Sequence, residues 1–239
     1  MTILHHSATI TADVDRQLAT AAVDLYRDIH KGIRAELFAI TTTAGSLDPD
    51  DRGDRAALAA HVESMRGVLV QHAEHEDEFV EPLLETHLPG MAERVSAEHV
   101  DLDARFGAVA DLAGGLTVAT SDARRVAHVL YLELSAFTSR YLHHQHVEEV
   151  EIMPALDRIV GAPGCGAVHA AIVGSIPPDE LARSLAFMLP AMNPYDRTEM
   201  LGGIRLAAPA EAFDAIVGLA RSVLEPRDFA LLARDLSLG

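Results

Sequence analysis

Apolar residues recur at steps of three and four along four long stretches of the chain, which is typical of helices that bury one face. The first stretch is predicted to begin at Thr11 or Asp13, since either residue can cap a helix, and to end near Thr43. Residues 45–53 are rich in Gly, Ser, Asp and Pro and are predicted to form a loop. The apolar positions of this first helix are Leu18, Ala22, Leu25, Ile29, Ile33, Leu37 and Ile40.

Three further stretches show the same spacing. The second begins near Asp54, and the third is predicted to end at Gly114 and Gly115. The fourth runs from about Asp122 to the Gly- and Pro-rich residues 161–164. Four amphipathic helices joined by short turns predict an all-α protein with an up-down-up-down four-helix bundle. The predicted core positions include Leu58, Val62, Met65, Leu69, Phe79 and Leu83, then Met91, Val95, Leu102, Phe106, Val109 and Ala113, then Val126, Leu130, Leu134, Phe137 and Tyr141.

Residues 161–239 carry shorter amphipathic segments. Pro178, Pro194, Pro209 and Pro226 mark the starts of four predicted short helices. These helices total about 60 residues, which is marginal for independent folding. We therefore expect a bundle domain over residues 1–160 and a helical extension over residues 161–239. The extension is expected to pack on the bundle or to form a homodimer surface.

Histidine and glutamate interrupt the apolar stripes at core positions, and they do so twice in the same pattern. Residues 72–84 read HAEHEDEFVEPLL and residues 144–156 read HQHVEEVEIMPAL. Both copies have His at the first position, Glu four residues later, Pro ten later and Leu twelve later. Residues four apart share one face of a helix, so each copy can offer a nitrogen and a carboxylate to one point.

The other two long helices each add one histidine to the stripe, His99 in the third and His30 at the edge of the first. A lone core histidine usually hydrogen-bonds a carbonyl, but burying two carboxylates together is costly unless a cation satisfies them. The whole set therefore indicates a metal site. Its predicted ligands are His30, His72, Glu76, His99, His144 and Glu148.

Four imidazoles and two carboxylates without a thiolate suit iron, zinc or manganese rather than calcium. If two six-coordinate ions share the site, the imidazoles, two bridging glutamates and a bridging oxide or hydroxide leave two positions open. Dioxygen, peroxide or nitric oxide could occupy them. We expect two iron ions, with zinc or manganese as the alternatives.

The order His, His-x-x-x-Glu, His, His-x-x-x-Glu resembles the haemerythrin-like HHE cation-binding family over about residues 13–160. The resemblance implies that the six residues are ligands and that Glu76 and Glu148 bridge two irons. Oxygen-carrying members have a second histidine where this chain has Asp103, and an aspartate ligand where it has Glu149. Both residues are expected to be solvated, or to contact a ligand side chain, rather than to be ligands themselves. These departures argue against simple reversible oxygen carriage.

Two tyrosines and three further histidines lie close in sequence to the predicted ligands. Tyr26 and Tyr141 lie one turn before His30 and His144, where a hydroxyl could reach a bound oxygen species or only cap a core layer. The remaining neighbours His75, His143 and His146 fall off the stripes and are expected near the surface.

Composition matters mainly for what it excludes. The chain has 36 acidic and 19 basic residues, and its net charge of −17 argues against nucleic acid and anionic membranes as partners. Cys165 is the only cysteine, so no intrachain disulfide can form. No basic leader followed by an apolar run is apparent, and no stretch approaches the roughly 20 apolar residues of a membrane span. A cytoplasmic location is therefore expected.

Three functions are compatible with this pattern. The first is a non-haem di-iron protein that binds or turns over O2, peroxide or NO, with activity of the peroxidase, catalase or oxidase type. The second is a sensor or binding module that responds to iron or oxygen without turnover. The third is a structural zinc bundle. Metal identity separates the third from the others, and peroxide turnover separates the first from the second.

Overall fold

The computed structural model describes residues 23–238, and every regular element within that range is helical. The predicted all-α class is therefore confirmed for these residues. In chain order the elements are α1 (Arg27–Ser46), α2 (Arg52–Phe79), α3 (Glu81–His87), α4 (Pro89–Val118), α5 (Ala123–Val147), a π-helical segment (Glu148–Ile152), α6 (Met153–Ser175), α7 (Pro178–Ala191), α8 (Pro194–Ala207), α9 (Ala210–Val223) and α10 (Pro226–Asp235).

Helix α1 begins later than predicted. The proposed cap at Thr11 or Asp13 lies outside the described residues, as do the first two apolar positions of the predicted stripe. Residues 23–26 form bends, so an unbroken helix across them is a wrong prediction. The Asp24 carboxylate accepts the backbone N–H of Tyr26 at 3.0 Å, a local turn that competes with helix formation.

The second predicted helix is broken near its end. Helices α2 and α3 meet at Val80, and Pro82 lies in the first turn of α3, where its missing N–H is tolerated. The break shifts the buried face by one residue. Val80 and Leu84 are buried, whereas the predicted core positions Phe79 and Leu83 are only half-buried.

Helix α4 runs past the point where the sequence predicts its end. Gly114 and Gly115 do not stop it, because Leu116 in the last turn is fully buried in the core. The buried Arg55 guanidinium donates to the carbonyl oxygens of Leu116 at 3.2 Å and Ala119 at 2.7 Å. A cation thus satisfies carbonyls that a helix end leaves without an internal partner.

The predicted stop at residues 161–164 is a break followed by a further helical stretch. Gly161 has φ 65° and ψ 175°, a conformation that glycine adopts far more readily than other residues. A Cβ atom on Gly164 would lie 2.4 Å from the Cβ of Val160, so the close approach of these turns also requires glycine. Cys165 is fully buried in the stretch that follows.

The described residues divide into two compact units. The first comprises residues 23–26 and 37–172, and the second comprises residues 27–36 and 173–238. The sequence predicts a single boundary, after residue 160, between the bundle domain and the C-terminal extension. Of the two compact units, the second takes the first ten residues of α1 and the first takes the rest. That residues 161–239 pack on the bundle stays a prediction.

The first unit has the core that the periodicity predicts. Helix α4 packs against both α2 and α5, and the Phe106 and Phe137 rings lie 4.6 Å apart between α4 and α5. The hydroxyls of Thr41 and Thr138 lie 3.1 Å apart between α1 and α5. The up-down-up-down order of the helices stays a prediction. Correctly predicted buried positions are Leu58, Val62, Met65, Leu69, Val95, Leu102, Phe106, Val109, Ala113, Leu130, Leu134, Phe137 and Tyr141.

The second unit has its own core, formed mainly by short helices. The starts of these helices agree with the predicted ones to within one residue. Leu185, Leu189, Leu201, Phe213 and Leu232 are among its buried residues, and Ile29 of α1 packs against them. Arg197 is buried there as well. Its guanidinium donates to the carbonyl oxygens of Leu189 and Pro190 and pairs with Asp228 at 2.9 Å.

Among the described residues, no single helix is both long and apolar enough to cross a membrane. The consecutive segments Ala123–Ser175 and Pro178–Ala191 meet that test of length and composition only when they are taken together.

Candidate metal centre

Helix α2 presents the first His-Glu pair from a single buried face. Register places His72 and Glu76 below Leu69 on the core stripe, and both side chains are buried. His72 Nε2 lies 3.3 Å from Glu76 Oε1. The predicted pairing of a nitrogen and a carboxylate on one turn is therefore present in α2.

The second pair is built by a different local structure. His144 lies in the last turn of α5, and Glu148 is the first residue of the π-helical segment. His144 Nε2 lies 2.9 Å from Glu148 Oε1, and both side chains are buried. The Met153 N–H bonds to the Glu148 carbonyl five residues earlier, which widens the turn just before Pro154. Such π-turns are often found at functional sites.

His99 of α4 joins the two pairs. Its Nε2 lies 3.1 Å from Glu76 Oε2 and 3.8 Å from Glu148 Oε1. The His99 and His144 rings are 5.0 Å apart and nearly perpendicular. One ligand atom from each of Glu76, His99, His144 and Glu148 lies within 4.8 Å of the other three. Three helices thus bring three imidazoles and two carboxylates into one buried cluster, which is a candidate metal-binding site.

Two further carboxylates orient the histidines from outside the cluster. Asp77 Oδ1 lies 2.8 Å from His99 Nδ1, and Glu98 Oε2 lies 2.9 Å from His144 Nδ1. With Nδ1 paired to these outer carboxylates, Nε2 is the ring nitrogen that faces Glu76 and Glu148. Carboxylates in this arrangement fix the tautomer of metal-binding histidines and increase their basicity.

Asp77 and Glu98 were not among the residues predicted to form the site. Each is adjacent in sequence to a predicted ligand, Asp77 after Glu76 and Glu98 before His99. Neither falls on a core stripe, and both are partly exposed. Helical spacing alone therefore could not separate them from the other surface carboxylates.

The cluster strongly favours positive charge. Burial by itself would lower the pKa of His99, but hydrogen bonds to Glu148 and Glu76 outweigh burial and raise that pKa to about 11. Burial would also lower the pKa of His144, but its hydrogen bond to Glu148 outweighs that effect, and the pKa is raised. The negative charge of Glu76 and Glu148 that favours protons on these histidines also favours a metal cation, which would displace those protons when it binds.

Two tyrosines are close to these charges. Tyr26 and Tyr141 are both buried, and burial together with the charges of Glu76 and Glu148 raises the pKa of each phenol well above its usual value. The Tyr141 ring lies 5.8 Å from the ring of His144. Tyr141 therefore keeps its proton, and its hydroxyl remains a hydrogen-bond donor.

The remaining predicted residues have different positions. His30 is fully buried on α1, within the residues that belong to the second unit, and its role as a ligand stays a prediction. Asp103 is exposed and Glu149 is half-buried. Of the off-stripe histidines, His143 and His146 are exposed, and His75 is half-buried.

A family model supports the resemblance that the motif suggests. The model described as Hemerythrin HHE cation binding domain matches residues 21–156, which is more than half of the chain and includes all six predicted ligands. No curated protein and no solved structure matches the chain. The chain therefore belongs to the haemerythrin HHE cation-binding family.

Proposed function

We propose that the chain is a cytoplasmic non-haem di-iron protein that binds or turns over O2, peroxide or NO. Its activity is expected to be redox chemistry of the peroxidase, catalase or oxidase type. The observation that carries the proposal is the burial of two carboxylates among three imidazoles in one cluster. The proposed ligands are His30, His72, Glu76, His99, His144 and Glu148.

The donor set fits two metal ions. Glu76 has one oxygen near His72 and the other near His99, so its two oxygens face nitrogens from different helices. Glu148 lies close to both His144 and His99. Nitrogen and oxygen donors without a thiolate suit iron, and a carboxylate with nitrogens on both sides can bridge two ions. Bound iron would supply electron transfer to or from an oxygen species.

The side chains that surround this site support the same proposal. Asp77 and Glu98 hold His99 and His144 with Nε2 directed at the carboxylates. Tyr141 offers a protonated hydroxyl next to the His144 ring. The burial of the whole cluster limits the access of bulk water. These features support chemistry on a small oxygen species held at the centre.

The absence of a carrier-type histidine favours turnover over carriage. By resemblance, oxygen carriers have a further histidine ligand at the position of Asp103, and Asp103 is exposed and outside the ligand cluster. One metal ion would then have one fewer protein ligand than in a carrier. We infer that the vacated position serves a reacting molecule.

Peroxide consumption by the iron-loaded protein tests this function. We expect wild-type protein to consume H2O2, alone or with a reducing dye, and Glu148→Ala to lose this activity. His143→Ala is a matched control, because His143 is exposed next to a proposed ligand. Two irons per chain with no peroxide consumption would contradict the redox function and favour a sensor. A protein that takes up zinc in preference to iron would favour a structural bundle.

A further inference from the structure

A cavity of about 430 Å³ lies directly beside the metal cluster, within the first unit. His99, Tyr141 and His144 all line it, so it reaches the candidate centre. Its volume is in the range of about 300–1,000 Å³ that is typical of small-molecule sites. One water molecule takes up about 30 Å³ of liquid volume, so dioxygen or peroxide alone would occupy only a small part of this space.

The walls of the cavity are mainly apolar. They come from α2, α4 and α5, and they include the aromatic rings of Phe106 and Phe137, whose centroids are 4.6 Å apart. An apolar wall of this kind binds the hydrocarbon or aromatic body of a ligand. The apolar lining residues are Leu69, Val70, Ala73, Val100, Leu102, Ala104, Phe106 and Phe137.

The polar residues of the cavity give it a negative mouth. Glu74, Asp77 and Asp103 are exposed carboxylates that line it, and the half-buried Arg66 is the one guanidinium among its lining residues. The net charge of −17 on the whole chain has the same sign. A cationic group is therefore favoured at the mouth, and an anionic group is disfavoured.

We propose that this cavity binds an organic substrate with an apolar, ring-sized body and a positively charged amine. The body would lie against Phe106 and Phe137, and the amine would face Asp103 and Glu74. This inference rests on the proposed function, because it assigns a substrate class to the same centre. Asp103 is then a specificity-determining residue.

Three probes with one ring system and different charges test the proposal. Titration calorimetry of the metal-loaded full chain would compare tryptamine, indole and indole-3-acetate. We expect tryptamine to bind on the order of tenfold more tightly than neutral indole, and indole-3-acetate to bind more weakly than indole. Equal affinities for the three probes, or no binding of tryptamine, would overturn the proposal.

Two variants with matched controls locate the binding. Ala73→Phe fills the cavity and is expected to weaken tryptamine binding at least about tenfold, whereas Ala59→Phe, on the same helix outside the cavity, is not. Asp103→Asn is expected to reduce the preference for tryptamine over indole, and the exposed Glu93→Gln on the same helix is not. Tryptamine binding that neither cavity variant changes would overturn the assignment.

Metal content and peroxide consumption of the same samples separate this inference from the proposed function. A di-iron protein that consumes peroxide but binds no tryptamine would overturn only the cavity assignment. Binding of tryptamine that depends on Ala73 and Asp103 would support the assignment, and a lack of redox metal in that sample would contradict only the proposed function.

Discussion

Glu76 and Glu148 are 6% and 1% exposed, and each has an imidazole nitrogen of the histidine four residues earlier within 3.3 Å. His99 approaches both carboxylates from a third helix. Two negative charges at this depth are tolerated only when positive charge is close. Protons on the histidines can supply that charge in the metal-free protein, and metal ions can supply it after loading.

Truncation of either glutamate is the first prediction at this scale. Glu76→Ala or Glu148→Ala should remove most of the bound metal and lower the melting temperature of the metal-loaded protein by about 5–10 °C. The reason is that metal binds the folded state and stabilises it. Elemental analysis and thermal unfolding measure the two effects together.

His75→Ala is the control for these truncations, because His75 is a half-buried neighbour outside the ligand cluster. It should leave metal content and melting temperature close to wild type. If both glutamate variants keep their full metal content, Glu76 and Glu148 do not bridge metal ions.

The second prediction concerns Asp77 and Glu98, the carboxylates that contact Nδ1 of His99 and His144. Asp77→Asn or Glu98→Gln should weaken metal binding about 10–100-fold, because each removes the charge that fixes a histidine tautomer. Competition with a chelator measures the affinity. Glu78→Gln, a change at the exposed neighbour of Asp77, should have no effect. Wild-type affinity in both test variants would show that these carboxylates do not position the ligands.

At the level of single residues, helical periodicity correctly predicted which His and Glu side chains of the first unit are buried, and their role as ligands stays a prediction. His72, Glu76, His99, His144 and Glu148 were placed in the core because their register matched the apolar stripe, and the structure buries all five. Asp77 and Glu98 were missed because their contacts depend on how neighbouring helices face each other. A one-dimensional spacing pattern does not contain that information.

At the scale of elements, each copy of the repeated motif ends in a helix irregularity. After Glu76 the helix breaks at Val80, and after Glu148 it widens into a π-helical segment. The prolines ten residues after His72 and His144 explain both, since proline cannot donate to the regular helix ladder. The sequence predicted a weakened helix after the first pair, but it could not indicate that the second copy takes a different form.

The break inside α6 gives a prediction for an element. Gly161→Ala should lower the free energy of unfolding by about 1–3 kcal/mol, because alanine is strained at φ 65° and ψ 175°. Gly166→Ala should be neutral or stabilising by up to about 1 kcal/mol, because a Cβ there meets no atom within 4 Å. Denaturant unfolding compares the two. Equal effects would mean that Gly161 does not require its unusual conformation.

At the scale of the whole molecule, the described residues form two compact units, and the candidate metal-binding cluster lies in the first. Sequence periodicity predicted the helices of both units, including the proline-opened helices after residue 177. It could not predict that α1 is shared between the units, because one continuous amphipathic stripe shows no boundary. His30 lies in the part of α1 that belongs to the second unit. Its role as a ligand stays a prediction, which the metal content of a His30→Ala variant would test.

The proposed di-iron centre can be tested by the metal content per chain, measured by elemental analysis, together with an absorption spectrum before and after peroxide. We expect two irons per chain and ligand-to-iron charge-transfer bands that peroxide changes. Zinc in place of iron, or a single ion per chain, would contradict the di-iron centre.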